Sequence, residues 1–336
     1  MQTKTLAKRL ALGVMAALVS VSLLAGCGGG KDKGAGAQND PPKIEIPARE
    51  PVSTAPTMTF KFGETEAKVY ELTGVDLSKV IRTNKLVTLG DELFFHTDGH
   101  YSEDKLQHIN KVTIKKETIA DLVDLGPSGD IAELATNGKI VIWQTNRKAT
   151  EGKDKIAIYD GKAATVGGKW SGSPMGDAES GDFMVYWGHE LRHSKLEDGN
   201  WKELGKVFAD DKTAFPDFKD TNISLKTVCV SKGDIFMRYF VEKEGGNIPY
   251  LIAFNKDGKE LCRYEGIADL PRGWAVTENY VVHTGSKGAI RVFDRKTGKV
   301  LGDATIDMRP FALWTKTGND VIVYDDRSHK IYRIDL

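Results

Sequence analysis

Two short segments, Asp269-Leu270-Pro271-Arg272-Gly273-Trp274 and Asp307-Met308-Arg309-Pro310-Phe311, carry one order of chemistry: an acid, then an arginine, then an aromatic ring. A guanidinium presents a planar fork of donors that suits a carboxylate or a phosphate, and two forks side by side need acids or an anionic ligand to balance them. The segments predict an anion-accepting site on Arg272 and Arg309, with Trp274, Trp170 and Phe215 as apolar or stacking walls. The plainer alternative pairs Arg272 with Asp269, and Arg309 with Asp307 or an acid from a neighbouring unit. Arg192, His193 and Asp217 complete the set of ligand-binding candidates.

The elements that hold these residues begin well inside the chain. Lys4, Lys8 and Arg9 precede an apolar run from Leu10 to Leu24, too short to span a bilayer comfortably. The run ends in Leu24-Ala25-Gly26-Cys27, which resembles the lipobox of bacterial lipoprotein precursors. That resemblance implies a signal peptide over residues 1–26, removal of the leader, and acyl chains on Cys27 as the new N-terminus. Several chains at roughly 0.8 kcal/mol per buried CH2 anchor a domain without a transmembrane helix. Gly28 stands where enterobacterial lipoproteins retained at the inner membrane have aspartate, so the expected address is the outer membrane or the cell surface. From Cys27 to about Pro56 the chain is rich in Gly, Pro, Ala and charge without apolar periodicity, and reads as a tether.

Charge then excludes one class of partner. The full sequence balances 47 Lys and Arg against 47 Asp and Glu; loss of Lys4, Lys8 and Arg9 with the leader makes the remainder mildly acidic. Nucleic-acid binders carry a basic face, so no nucleic acid is expected as partner.

Residues 57–336 repeat. A small or polar pair, then four apolar or β-prone residues, then a polar break recurs with LFFH from Leu93, IVIW from Ile140, FMVY from Phe183, IFMR from Ile235, YVVH from Tyr280 and VIVY from Val321. Hairpin signals follow, such as Asp160-Gly161 and Lys296-Thr297-Gly298, in which glycine supplies the positive φ of a tight turn. About four short antiparallel strands per unit of roughly 45 residues is the pattern of propeller blades. The units resemble WD-repeat and quinoprotein-type blades, without the Trp-Asp dipeptide. The expectation is an all-β chain forming a single six-bladed β-propeller. An N-terminal strand, from Met58–Phe62 or Ala67–Leu72, closes the last blade. A pair of β-sandwiches is the rival. Helix is expected only at 76–83 and in a turn near 216–221.

Within that frame Cys229 falls on the innermost strand of blade 4 and Cys262 on the outermost. Three strand spacings exceed the roughly 7 Å Cα limit of a disulfide, so two free, buried thiols are expected. The loops between second and third strands, and between blades, gather His96, His189, Arg192, His193, Arg147 and the Asp325–His329 stretch at one face.

No Asp-box, Gly-x-Ser-x-Gly elbow, phosphate loop or His-Glu-x-x-His helix occurs. Asn222, Asp217 and Asp269 imitate the metal set of six-bladed lactonase-type hydrolases without a local motif. Two functions follow. The first is a monomeric, membrane-tethered, non-catalytic module that binds a protein or envelope polymer through its loop face, with no cofactor and no metal. The second is an extracytoplasmic hydrolase or lyase acting on a sugar or lactone at the channel mouth, with a metal as an optional helper.

Overall fold

The structure is a computed structural model and describes residues 55–77, 85–97, 104–115, 117–129, 133–145, 147–151, 153–162, 164–209, 215, 217, 223–244, 246–266, 273–315 and 318–336. The expected leader, Cys27 and the expected tether as far as residue 54 lie outside them, and the segment from Val52 onward forms a compact unit of its own.

Two strands open this unit, β1 (Met58–Phe62) and β2 (Thr65–Leu72). Blade 1 follows as β3 (Leu86–Leu89), β4 (Glu92–Thr97), β5 (His108–Lys115) and β6 (Thr118–Pro127). Blade 2 is β7 (Leu134–Thr136), β8 (Val141–Gln144), β9 (Lys155–Tyr159) and β10 (Ala164–Lys169). Blade 3 is β11 (Ser173–Asp177), β12 (Asp182–Trp187), β13 (Glu190–Glu197) and β14 (Asn200–Phe208). Blade 4 is β15 (Ile223–Ser231), β16 (Asp234–Lys243), β17 (Gly246–Phe254) and β18 (Glu260–Tyr264). Blade 5 is β19 (Gly273–Val276), β20 (Tyr280–Thr284), β21 (Ala289–Asp294) and β22 (Val300–Thr305). Blade 6 has β23 (Pro310–Thr315), β24 (Asp320–Asp325) and β25 (Lys330–Asp335), and takes β2 as its fourth strand and β1 as a fifth.

Each blade is an antiparallel meander, and the six make an all-β propeller with short 3-10 turns at Arg147–Thr150 and Ser286–Gly288. The ring closes where β2 pairs with β25, from Lys68↔Asp335 to Leu72↔Ile331, so the exposed edge that blade 6 would otherwise present is covered.

The repeated apolar motif is the second strand of each blade, apolar on both faces because it is packed between two neighbours. In β4, Leu93 and Phe95 join the cluster shared with blade 6, while Phe94 points into the cluster shared with blade 2. In β8, Val141 and Trp143 turn back to blade 1, and Ile142 turns on to blade 3. The other second strands alternate in the same way, so one apolar cluster fills each junction of the ring. This phase corrects the repeat at two places: Val141, not Ile140, and Val281, not Tyr280, are the counterparts of Leu93.

Polar latches join the hairpins between first and second strands on the opposite face. Asn137 Nδ2 donates to Gly181 O (2.6 Å), and Arg295, only 7% exposed, reaches back from blade 5 to donate to Ser231 O (2.7 Å) and Asp234 Oδ2 (3.1 Å). Between blades 2 and 3 the backbones nearly touch, since a Cβ at Gly176 would lie 1.7 Å from Thr136 O.

Cys229 and Cys262 are both free thiols. They occupy one row of blade 4, Cys229↔Phe236↔Ala253↔Cys262, three strand spacings apart. They are half-buried rather than fully buried, although burial pushes the Cys229 thiol up to about 12 and leaves it inert.

A candidate binding face at the channel mouth

The loop face carries the hairpins between second and third strands and the connectors between blades. Lys85, just before β3, pairs with Glu133 before β7 (2.9 Å), and Glu133 Oε1 accepts from Ser173 Oγ at the start of β11 (3.2 Å). Three successive blades are thus tied together at the mouth of the channel, a chain of contacts that no local motif announces.

Arg309 lies at the entrance to β23 and pairs with Asp326 of its own blade (Nη2 to Oδ2, 2.7 Å) rather than with Asp307, which is taken by Arg327. Arg272 and Asp269 lie outside the described residues. Asp217 accepts from Arg263 Nη2 (2.6 Å), and Arg263 also binds Glu260. Those two acids hold the Arg263 guanidinium above its usual range. Asn222 is outside the described residues, and among those that are described no three His, Cys, Asp or Glu side chains group to hold a metal.

Arg192 and His193 are strand residues of β13, not loop residues, because the turn before them is only Gly188-His189, both at positive φ. Arg192 is clamped by Glu190 and Glu203 and lies over the Trp187 ring at 5.2 Å, while His193 Nε2 pairs with Asp182 (3.0 Å). Trp187 itself is 56% exposed at the top of blade 3. Of the three walls expected, Trp170 and Phe215 are core residues, the first between blades 2 and 3 and the second stacked on Tyr239 at 3.8 Å. Trp274 alone stays near the channel, its Nε1 donating to Thr227 Oγ1 across the junction of blades 4 and 5 (2.9 Å).

Blade 4 changes the relief of the face. Strand β16 has 10 residues, whereas second strands elsewhere have 4 to 6, and β17 has 9 against 5 to 8 in the other third strands. Four further residues lengthen the hairpin by about 13 Å. Its upper part shows Ile248 at 41% exposure, with Phe240 and Tyr250 half-buried beside it.

Below the rim are buried histidines and one buried arginine. His96 (2% exposed) meets Ser128 Oγ through Nδ1 (3.3 Å), and its Nε2 has no hydrogen-bond partner; burial pushes it down to about 3. His283, also 2% exposed with an unpartnered Nε2, is held near 4, first by burial and then by the charges of Arg238 and Arg291.

No family model matches the chain, and no curated protein matches it. Solved structures that do match include U3-55K, at 10% identity and TM-score 0.46 over 80% of this chain and 98% of that one. The WD40 repeats of RRP9 match at 10% identity and TM-score 0.47, over 83% and 100%. BamB from Moraxella catarrhalis matches at 11% identity and TM-score 0.40, over 75% and 81%. At these identities the likeness concerns the propeller fold alone.

Proposed function

We propose that the chain is an extracytoplasmic lipoprotein, tethered to a membrane through Cys27, whose propeller is a non-catalytic module that binds a protein or envelope polymer through its loop face. The observation that carries this reading is the exposed Trp187 with Arg192 stacked on it at the rim, near a raised blade 4 hairpin that displays Ile248. Aromatic residues and arginine are the usual anchors of an interface, because they bury much area at little entropic cost. The candidate acids and bases of the face, where described, are taken up by one another in ion pairs instead of converging on a reacting atom. Among the described residues the hydrolase reading has no observation in its favour: Asp217 of its metal set is occupied by Arg263, and Asn222 and Asp269 lie outside them.

A photo-cross-linking residue in place of Trp187 tests the face in cells, with the same probe at Lys256, in a turn on the opposite face, as control. Capture of one defined partner at 187 and not at 256, lost with Ile248→Asp, is the expected result. Equal capture at both positions, or none at 187, overturns it. Cys27→Ala separately tests the anchor, and unchanged membrane fractionation of that variant refutes it.

A further inference from the structure

Arg238 is a cation buried in a junction between blades without an acid. It is 8% exposed, its Nε has no hydrogen-bond partner, and no carboxylate among the described residues pairs with it. At the corresponding place in other blades, the second residue of the second strand to face the next blade, the side chain is neutral. Gln144 donates to Asp154 (2.9 Å), Thr284 to Gly273 O (3.1 Å), Tyr324 meets His329 Nδ1 (2.9 Å), and His96 meets Ser128. Only blade 4 has a charge there among these.

The register defines its surroundings. Arg238 pairs with Thr227 on β15 and Leu251 on β17, and its guanidinium lies 5.1 Å from the Phe240 ring. From blade 5, His283 and its strand neighbours Trp274 and Arg291 face the same junction. The Arg291 charge is already balanced by Asp303 (2.5 Å), with a further bond to Gly266 O. That leaves one uncompensated cation, one neutral imidazole with a free ring nitrogen, and apolar walls. At the inner edge of this junction the Trp274 to Thr227 bond links β19 to β15. Thr227, on the innermost strand of blade 4, is itself exposed.

We propose that the Arg238 and His283 side of the junction between blades 4 and 5 is a receptor for a single carboxylate. The carboxylate takes the Arg238 fork through Nε and a terminal nitrogen and accepts from His283 Nε2. A phosphate fits less well, because its second charge has no counter-ion in a site with one free cation and would be desolvated uncompensated. The carboxylate belongs either to a small free acid or to an acidic residue of a bound polypeptide. This inference does not depend on the Trp187 rim and stands or falls separately.

The test uses the full chain, titrated with acetate, with inorganic phosphate and with a short glutamate-containing peptide, ionic strength being held constant with chloride. Binding is followed by the melting midpoint and by the indole N–H resonance of Trp274, assigned with Trp274→Phe. Acetate should bind saturably and shift that resonance, and Arg238→Met should weaken it at least roughly tenfold, with Arg238→Lys in between. Tighter binding of the peptide than of acetate marks a chain-borne source, and equal binding a free acid. Should Arg238→Met not fold, the Trp274 resonance of the parent decides alone. An effect of acetate no different from chloride, binding unchanged in Arg238→Met, or phosphate preferred over acetate each overturns the proposal.

Discussion

Acid should weaken this propeller well before its carboxylates begin to titrate. His96 and His283 sit in blade junctions at 2% exposure, held near 3 and 4 by burial, against an ordinary value near 6.5. Above pH 6.5 both are neutral in the folded and unfolded chain, and their contribution to stability is complete. Below it, the unfolded chain takes up protons that the folded chain refuses, so stability falls with pH until the folded values are reached. At pH 5 the unfolded imidazole lies about 1.5 pH units inside its protonated range, worth about 2 kcal/mol per histidine and about 4 kcal/mol for the two. Carboxylates held low by their partners, such as Asp154 and Asp303, lose their contribution only at or below about pH 4, which leaves the window from 7 to 5 to the histidines. Urea denaturation at pH 7, 6 and 5 should show this loss, and His96→Gln or His283→Gln should each remove about half of it. A flat profile between pH 7 and 5, or a double variant as acid-sensitive as the parent, refutes the reasoning.

Gly176→Ala forces the innermost strands of blades 2 and 3 apart, because the new methyl meets backbone rather than a movable side chain. A destabilisation of about 3 kcal/mol is expected in thermal melts, and a variant that melts like the parent contradicts the close approach. Arg295→Met strips donors from Ser231 O and from Thr277 O, the latter bonded at 2.8 Å, and should cost about 2 to 4 kcal/mol in chemical denaturation, with fluorescence as readout. Val69→Asp places a charge at a fully buried position of β2. Limited proteolysis should then cut first in blade 6, and parent-like protection of β25 argues against closure by β2.

The blades were legible in the sequence because each second strand is apolar on both faces, and six such runs at near-equal spacing suit little but a ring of blades. The closing strand was legible too, since the final repeat stops one strand short and the segment around Ala67–Leu72 was free to supply it. What failed was local detail: Ile140 and Tyr280 look like the starts of their runs, and only packing shows that Val141 and Val281 carry the phase. Arg192 and His193 looked like loop residues because a two-residue turn at Gly188-His189 leaves little trace beside a glycine. Trp170 and Phe215 looked like channel walls because a connector aromatic gives no sign of which side it turns to. Arg238 stood in plain view inside IFMR, counted as one more β-prone residue of a core strand. Its isolation depends on which acids a neighbouring blade brings near, and that is set by the ring, not by proximity along the chain.

The pairing of β2 with β25 also sets a timetable. These partners come from opposite ends of the propeller segment, so the contact that seals the ring is among the most non-local the chain makes, and such contacts slow folding. On a ribosome β2 emerges first and must wait for every blade between before its partner exists. Until then Ala67, Val69 and Leu72 have no junction to fill, and β25, when it arrives, offers an open edge to any passing strand. Closure of blade 6 is therefore the step at which folding and strand-to-strand association with another chain would compete.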